Sequence, residues 1–160
     1  MANGQTPCKN QLYIWWIIKV VCGVLLITSI FDRFFFHNFH YHHNIPIFIS
    51  QLLVVLGAFI SIYHYNILKS TNQNITKPTK LIVKKGLFPY IRHPMYFGDI
   101  ISYFGFFSFS VNWVTAVILP ISYVALFKQA RDEDANLEKL FGYEFCVWAD
   151  QSKLLVPFIK

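Results

Sequence analysis

Three long apolar runs alternate with polar stretches along the chain. Residues 12–31 and 45–68 each hold about 20 mainly hydrophobic residues, the length that crosses a bilayer as one helix. Residues 94–128 form a longer run, which as one straight helix would reach roughly 50 Å, well beyond the ~30 Å hydrocarbon core. The lengths of these apolar runs favour helices, with no strand pattern between them.

The longest apolar run contains a turn signal near its middle. Residues 108–112 read Ser-Phe-Ser-Val-Asn, a small and polar segment of the kind that ends one helix and begins the next. We therefore expect a helical hairpin with arms at 94–109 and 113–128. Each arm is about 24 Å long, short for a span, so local bilayer thinning or tilting is expected.

The composition agrees with a membrane protein. Hydrophobic residues make up 55% of the chain and charged residues only 14%, whereas soluble domains carry about 25% charged residues. The fold class predicted is all-α: a polytopic membrane protein with about four transmembrane helices, a C-terminal helical hairpin and a cytoplasmic amphipathic tail. Residues 1–160 are then one membrane domain.

Positive charge is concentrated between the second and third apolar runs. The net charge is +6, and no acidic residue interrupts the basic loop, whose cations are Lys69, Lys77, Lys80, Lys84, Lys85 and Arg92. A nucleic acid could bind such a loop, but its apolar flanks favour a cytoplasmic loop and no nucleic-acid partner. Both termini are then cytoplasmic, in a bacterial inner membrane or the endoplasmic reticulum.

The cysteines and histidines do not form a metal-site pattern. The three cysteines are scattered without a CxxC spacing. Four histidines lie among aromatic residues between the first two apolar runs, and a metal site there is the weaker alternative to an interfacial loop, since no carboxylate or cysteine joins them at ligand spacing. We expect no metal. These histidines are His37, His40, His42 and His43.

Chemistry is concentrated where the chain enters the third apolar run. Pro94 suits the first turn of a helix, which places His93 at the N-cap and Tyr96 one turn inside. The free N–H groups of that helix start, with Arg92 beside them, favour a carboxylate. The alternative is a membrane-boundary anchor, because Arg, His and Tyr often mark the interface.

A second polar cluster, residues 131–134, follows the hairpin. A hairpin brings its ends together, so Glu133 and Asp134 are expected near Arg92 and His93. Cations facing carboxylates suit a zwitterionic ligand. The alternative for residues 131–138 is a solvated helix end. Asp99 is a carboxylate early in an apolar run and is expected to have a partner or a role. Lys19, two turns into the first run, is expected to extend back to the headgroups.

Together these motifs form the pattern of a known family. The sequence resembles the integral membrane methyltransferases that include isoprenylcysteine carboxyl methyltransferase and the phospholipid N-methyltransferases. The resemblance covers residues 81–157. It rests on Gly86 and Tyr90, Arg92-His-Pro-x-Tyr-x-Gly98, Arg131-x-Glu-Asp134, Phe141-Gly-x-Glu-Phe145 with Trp148, and Val156-Pro157. Asp134, Phe145 and Trp148 depart from the glutamate and the two tyrosines that the family's motifs carry there.

The resemblance implies S-adenosyl-L-methionine as cofactor and a lipid or prenylated acceptor that enters from the bilayer. On the matching positions, Arg92 and Glu133 are the residues most needed for activity. The residues implied to hold the cofactor are His93, Tyr96, Gly98, Glu133 and Asp134. No glycine-rich nucleotide-binding pattern is present.

Two other functions compete with methyl transfer. Membrane sterol reductases, which use NADPH, resemble the same half of the chain, and Asp99 after Gly98 favours them. They have many more spans than 160 residues allow. The other alternative is a non-catalytic membrane scaffold whose polar clusters only mark the boundary.

Overall fold

The computed structural model describes residues 9–35, 47–71 and 79–156. Within these ranges the chain is all-helical, as predicted. In the described part of the chain, one isolated pairing, between Ile91 and Lys153, resembles a strand. The described residues form the helices α1 (Lys9–Phe35), α2 (Ile47–Ser70), α3 (Pro94–Phe109), α4 (Trp113–Phe141) and α5 (Tyr143–Gln151).

Three of these helices are long and apolar enough to cross a membrane: α1 over Tyr13–Phe31, α2 and α4. Only 17% of the apolar window is buried within the protein in α1 and in α2, against 44% in α4. The exposed apolar faces of α1 and α2 are therefore suited to contact lipid. At 16 residues α3 is shorter, so a fourth span stays a prediction.

The turn of the hairpin leads into a capped N-terminus of α4. α3 ends at Phe109 and α4 begins at Trp113. Asn112 is the N-cap of α4: its side chain accepts from the N–H of Thr115 at 2.8 Å, and the Thr115 hydroxyl accepts from the N–H of Asn112 at 3.1 Å. This reciprocal pair satisfies two backbone donors at the helix end. α4 does not end at 128, where we expected the second arm of the hairpin to end, but continues through the charged segment to Phe141.

Small residues bring α2 and α3 into close contact. A Cβ at Gly57 would lie 2.4 Å from the Gly98 carbonyl oxygen, and a Cβ at Gly98 would lie 2.6 Å from the Gly57 carbonyl oxygen. Real Cβ atoms essentially never approach other atoms this closely, so a larger residue at either position would force the two helices to shift. Close backbone approach through small residues is a usual way for helices to associate in a membrane. Lipid tails are as apolar as the side chains, so no hydrophobic driving force brings the helices together there.

The remaining helices pack around this pair. α1 packs along α4, and a core cluster that includes Cys22, Leu26, Tyr103 and Leu126 lies between α1, α3 and α4. A second cluster joins the segment before α3 to α5 through Leu81, Phe88, Phe145 and Trp148. The C-terminal tail thus folds back onto the entrance of α3, and its relation to a membrane surface stays a prediction.

Candidate active site

The turn before α3 is held by α2 and by α5. Gly86 has φ of 58°, and the next N–H, of Leu87, donates to His64 Nε2 at 2.9 Å. Because Nε2 accepts, the proton lies on Nδ1, which donates to the Ile60 carbonyl at 2.8 Å. On the other side, the Trp148 indole N–H donates to the Phe88 carbonyl at 2.9 Å. The turn is thereby fixed directly ahead of the predicted site residues.

The structure places His93 at the N-cap of α3 and Pro94 at its start, as predicted. The His93 side chain makes no capping hydrogen bond. It points instead between two carboxylates of α4: Nε2 lies 2.8 Å from Asp134 Oδ1, and Nδ1 lies 3.4 Å from Glu133 Oε2. The hairpin thus joins the two polar segments, although 40 residues separate His93 from Glu133 along the chain.

Tyr96 completes the junction one turn later. Its hydroxyl donates to Glu133 Oε1, and its ring stacks on the His93 imidazole with centroids 5.4 Å apart and planes 8° from parallel. The Gln129 amide N–H also donates to Glu133 Oε1, at 3.3 Å. We call this set the polar cluster: Arg92, His93, Tyr96, Gln129, Glu133 and Asp134.

His93 is positively charged in this environment. Burial alone would lower the pKa of the imidazole. Hydrogen bonds to Asp134 and Glu133 and the negative charge of both outweigh burial and raise the pKa from 6.5 to about 9. At neutral pH the charged ring therefore donates from Nε2 to Asp134 and is ion-paired through Nδ1 with Glu133.

Arg92 ties the polar cluster to the C-terminal segment. Its Nε donates to Asp134 Oδ2 at 2.8 Å, and its Nη1 donates to the carbonyls of Ala149 and Ser152, each at 2.8 Å. These carbonyls belong to the end of α5, where helical partners are lacking and a cation is favourable. Among the described residues, no hydrogen bond uses the second terminal nitrogen, Nη2.

A cleft opens beside Arg92. Its volume is about 260 Å³, and it is lined by Arg92, Ala149, Asp150, Ser152, Lys153 and Leu154. Pockets for whole ligands usually measure about 300–1,000 Å³, so this cleft fits part of a ligand. The guanidinium of Arg92 thus lies between the polar cluster and a cleft formed by α5 and the residues after it.

Gly98, which the resemblance implies to hold the cofactor, lies at the contact between α3 and α2. It is buried against α2, where a Cβ would meet Ser61 Oγ at 2.4 Å as well as the Gly57 carbonyl. Packing of α2 on α3 is therefore enough to require glycine here. A direct part for Gly98 in cofactor binding stays a prediction.

Asp99 has the partner that its position in an apolar run led us to expect. Its Oδ2 lies 3.6 Å from Lys19 Nζ on α1, and its Oδ1 accepts from the Ser61 hydroxyl of α2 at 3.1 Å. The Lys19 ammonium also lies 4.8 Å from the centroid of the Tyr96 ring. Lys19 is thus turned inward against α3 and only 15% exposed, rather than extended to the headgroups as we expected.

Two residues of the second polar segment lie outside the polar cluster. Arg131 is exposed, with its guanidinium 5.6 Å from the Phe127 ring. Asp132 is half-buried, and its Oδ2 has no hydrogen-bond partner among the described residues. Residues 129 and 133 share a face of α4, and Arg131 lies on a different face.

Sequence reasoning missed Gln129 and Lys19 as neighbours of the site. Gln129 could have been found from its spacing, one turn before Glu133. Nothing in the sequence links Lys19 to Asp99, 80 residues away. The predicted alternative metal ligands His37, His40, His42 and His43 lie outside the described residues. Within the described ranges no group of three or more His, Cys, Asp or Glu is placed to hold a metal.

Comparison with known proteins identifies the family. No curated protein and no solved structure matches the chain. The model of one family, described as the isoprenylcysteine carboxyl methyltransferase (ICMT) family, matches residues 49–139, more than half of the chain. The matched range contains the whole polar cluster and leaves out α1 and α5. The protein, with its three helices apolar enough to cross a membrane, therefore belongs to the isoprenylcysteine carboxyl methyltransferase family.

Proposed function

We propose that the protein transfers a methyl group from S-adenosyl-L-methionine to a lipid or prenylated acceptor at the membrane. Membership of the methyltransferase family supports this proposal. The observation that carries it is the contact between Arg92 and His93, just before α3, and the carboxylates Glu133 and Asp134 on α4. Cations and carboxylates within hydrogen-bonding distance of each other match a ligand that itself carries both charges.

The residues of the polar cluster fit the amino-acid end of this cofactor. Its α-carboxylate suits Arg92 Nη2, with the positive charge of the adjacent His93 beside it, and its α-ammonium suits Glu133 and Asp134. Tyr96 and His93 add stacked ring surfaces beside these charges. Gly98 would act through position, by letting α3 lie close against α2. When bound, the cofactor supplies a methyl group on a sulfonium, already activated for transfer.

The protein then has to align the acceptor and exclude water. For a carboxylate acceptor no base is needed, and Arg92 would orient the two oxygens. An amine acceptor has to lose a proton, and Glu133 or Asp99 would be the candidate base. The apolar faces of α1 and α2 would let the acceptor's hydrocarbon tail approach from the bilayer. The basic loop and both termini would lie on the cytoplasmic side.

Binding of the purified protein in detergent tests the proposal. We expect S-adenosyl-L-methionine to bind and NADPH not to bind. Binding of NADPH would instead favour a reductase related to the sterol reductases, and binding of neither would favour a scaffold. Membranes incubated with methyl-labelled cofactor should then contain a labelled lipid or prenylated product. Analysis of that product identifies the methyl acceptor.

Two substitutions test the roles of Arg92 and Glu133. We expect Arg92→Lys to lower methyl transfer by at least about tenfold, since lysine cannot reproduce the guanidinium fork. Glu133→Gln should also lower transfer. The matched control is Arg131→Lys, the same change at an exposed arginine outside the polar cluster. Unchanged cofactor affinity and transfer in both site variants would refute the assigned roles.

A further inference from the structure

One buried acceptor atom in the polar cluster has no donor. Gln129 is 4% exposed, and its side-chain oxygen Oε1 has no hydrogen-bond partner among the described residues. Buried polar atoms are normally paired, and an unpaired one in a native structure calls for a physical reason such as a missing ligand. The atom lies one helical turn from Glu133, on the same face of α4.

The orientation of this amide is fixed by its neighbour. Oxygen and nitrogen of a glutamine are assigned from their hydrogen bonds. Gln129 Nε2 lies 3.3 Å from Glu133 Oε1, and only the NH₂ group can donate to a carboxylate. Exchanging the two atoms would place two acceptors against each other. The oxygen therefore has to be the end of the amide left without a partner.

The side-chain donors of Tyr96 and His93 are already engaged. The Tyr96 hydroxyl donates to Glu133, and His93 is hydrogen-bonded to Asp134 and ion-paired with Glu133. What the polar cluster lacks is a further N–H donor that can meet Glu133 and an amide oxygen together. An alkylammonium has three donors in tetrahedral arrangement and no acceptor, which fits that requirement.

We propose that Gln129 is a further cofactor-binding residue, whose side-chain oxygen accepts a hydrogen bond from the α-ammonium of S-adenosylmethionine while its NH₂ group holds Glu133. This inference rests on the proposed function, because it takes the cofactor from it. Gln129 would be an uncharged hydrogen-bond acceptor on α4, four residues before Glu133. It lies outside the motifs that carry the family resemblance.

The test compares two ligands on three proteins by isothermal titration calorimetry in detergent. The ligands are S-adenosylhomocysteine and its analogue lacking the α-amino group. The proteins are the wild type, Gln129→Leu and Gln151→Leu, the last being the same change at an exposed glutamine of α5. We expect Gln129→Leu to weaken the binding of S-adenosylhomocysteine by about tenfold or more and the binding of the analogue by less than about twofold. Gln151→Leu should change neither.

The analogue also controls for folding, since a variant that binds it normally retains its site. Equal losses for both ligands in Gln129→Leu, or no loss for either, would overturn the inference while leaving the proposed function intact. Gln129→Lys separates the two ends of the amide, because it keeps a donor toward Glu133 and removes the acceptor. Wild-type affinity in Gln129→Lys would show that only the donor matters, and would also overturn it. A wild type that binds neither ligand would overturn both proposals.

Discussion

Replacing Gly98 by alanine should destabilise the protein, because the added methyl group meets backbone. The new Cβ would lie 2.6 Å from the Gly57 carbonyl oxygen, 2.9 Å from the Ser61 nitrogen and 2.4 Å from Ser61 Oγ. A side chain can rotate away, but the backbone of α2 moves only if the two helices separate. Overpacking of this kind costs about 1–3 kcal/mol, while exchanging glycine for alanine in a helix returns about 1 kcal/mol.

The net loss expected for Gly98→Ala is about 0–2 kcal/mol, or a fall in Tm of up to roughly 8 °C for a chain of this size. The assay is thermal unfolding in detergent micelles, followed by circular dichroism. Gly23→Ala is the matched control: the same change in another helix, where the new Cβ meets only the Tyr103 side chain, with the hydroxyl oxygen nearest at 3.1 Å. That variant should be unchanged or slightly more stable.

A Tm for Gly98→Ala equal to or above that of Gly23→Ala would refute the close approach of α2 and α3. The same result would remove the packing explanation for glycine in the motif Arg92-His-Pro-x-Tyr-x-Gly98. A loss of cofactor affinity at unchanged Tm would point to direct contact with the cofactor instead.

Two further predictions concern charges around the site. Protonated His93 has a pKa raised to about 9, so the stabilisation it gives is complete below the unfolded value of 6.5 and is lost as the pH rises through 9. The Tm of the wild type should therefore fall toward that of His93→Gln as the pH is raised from 6 to 10, and a constant difference would contradict the charged assignment. Lys19→Met leaves Asp99 without its cation and should lower the Tm. The loss in free energy of unfolding should be smaller than the about 3–5 kcal/mol that follows when a fully buried pair loses one partner, because the Asp99 side chain is 28% exposed. The double variant with Asp99→Asn should recover most of that loss, and strictly additive effects would argue against the ion pair.

Local signals were enough to predict α1 to α3 and the start of α4. The apolar runs are long, and few alternatives to a helix satisfy the backbone of such a run in lipid. Pro94 marks the start of α3 because proline suits the first turn, where its missing N–H would have no helical partner, and Asn112 marks the start of α4 as an N-cap. The hairpin then implied that His93 and Tyr96 would meet Glu133, since an antiparallel pair returns the chain to the same end.

What only the tertiary structure decided was the set of contacts between helices that are distant in the sequence. The inward turn of Lys19 toward Asp99 depends on how α1 packs against α3, which hydropathy does not encode because one face of an apolar helix looks much like another. Atomic positions likewise decide that the Gln129 side-chain oxygen has no partner among the described residues. They also decide that Arg92 donates hydrogen bonds to the carbonyls at the end of α5. Sequence thus determined which residues are helical and which carry charge, whereas packing determined which charges meet, since an ion pair or hydrogen bond requires atoms within about 3–4 Å.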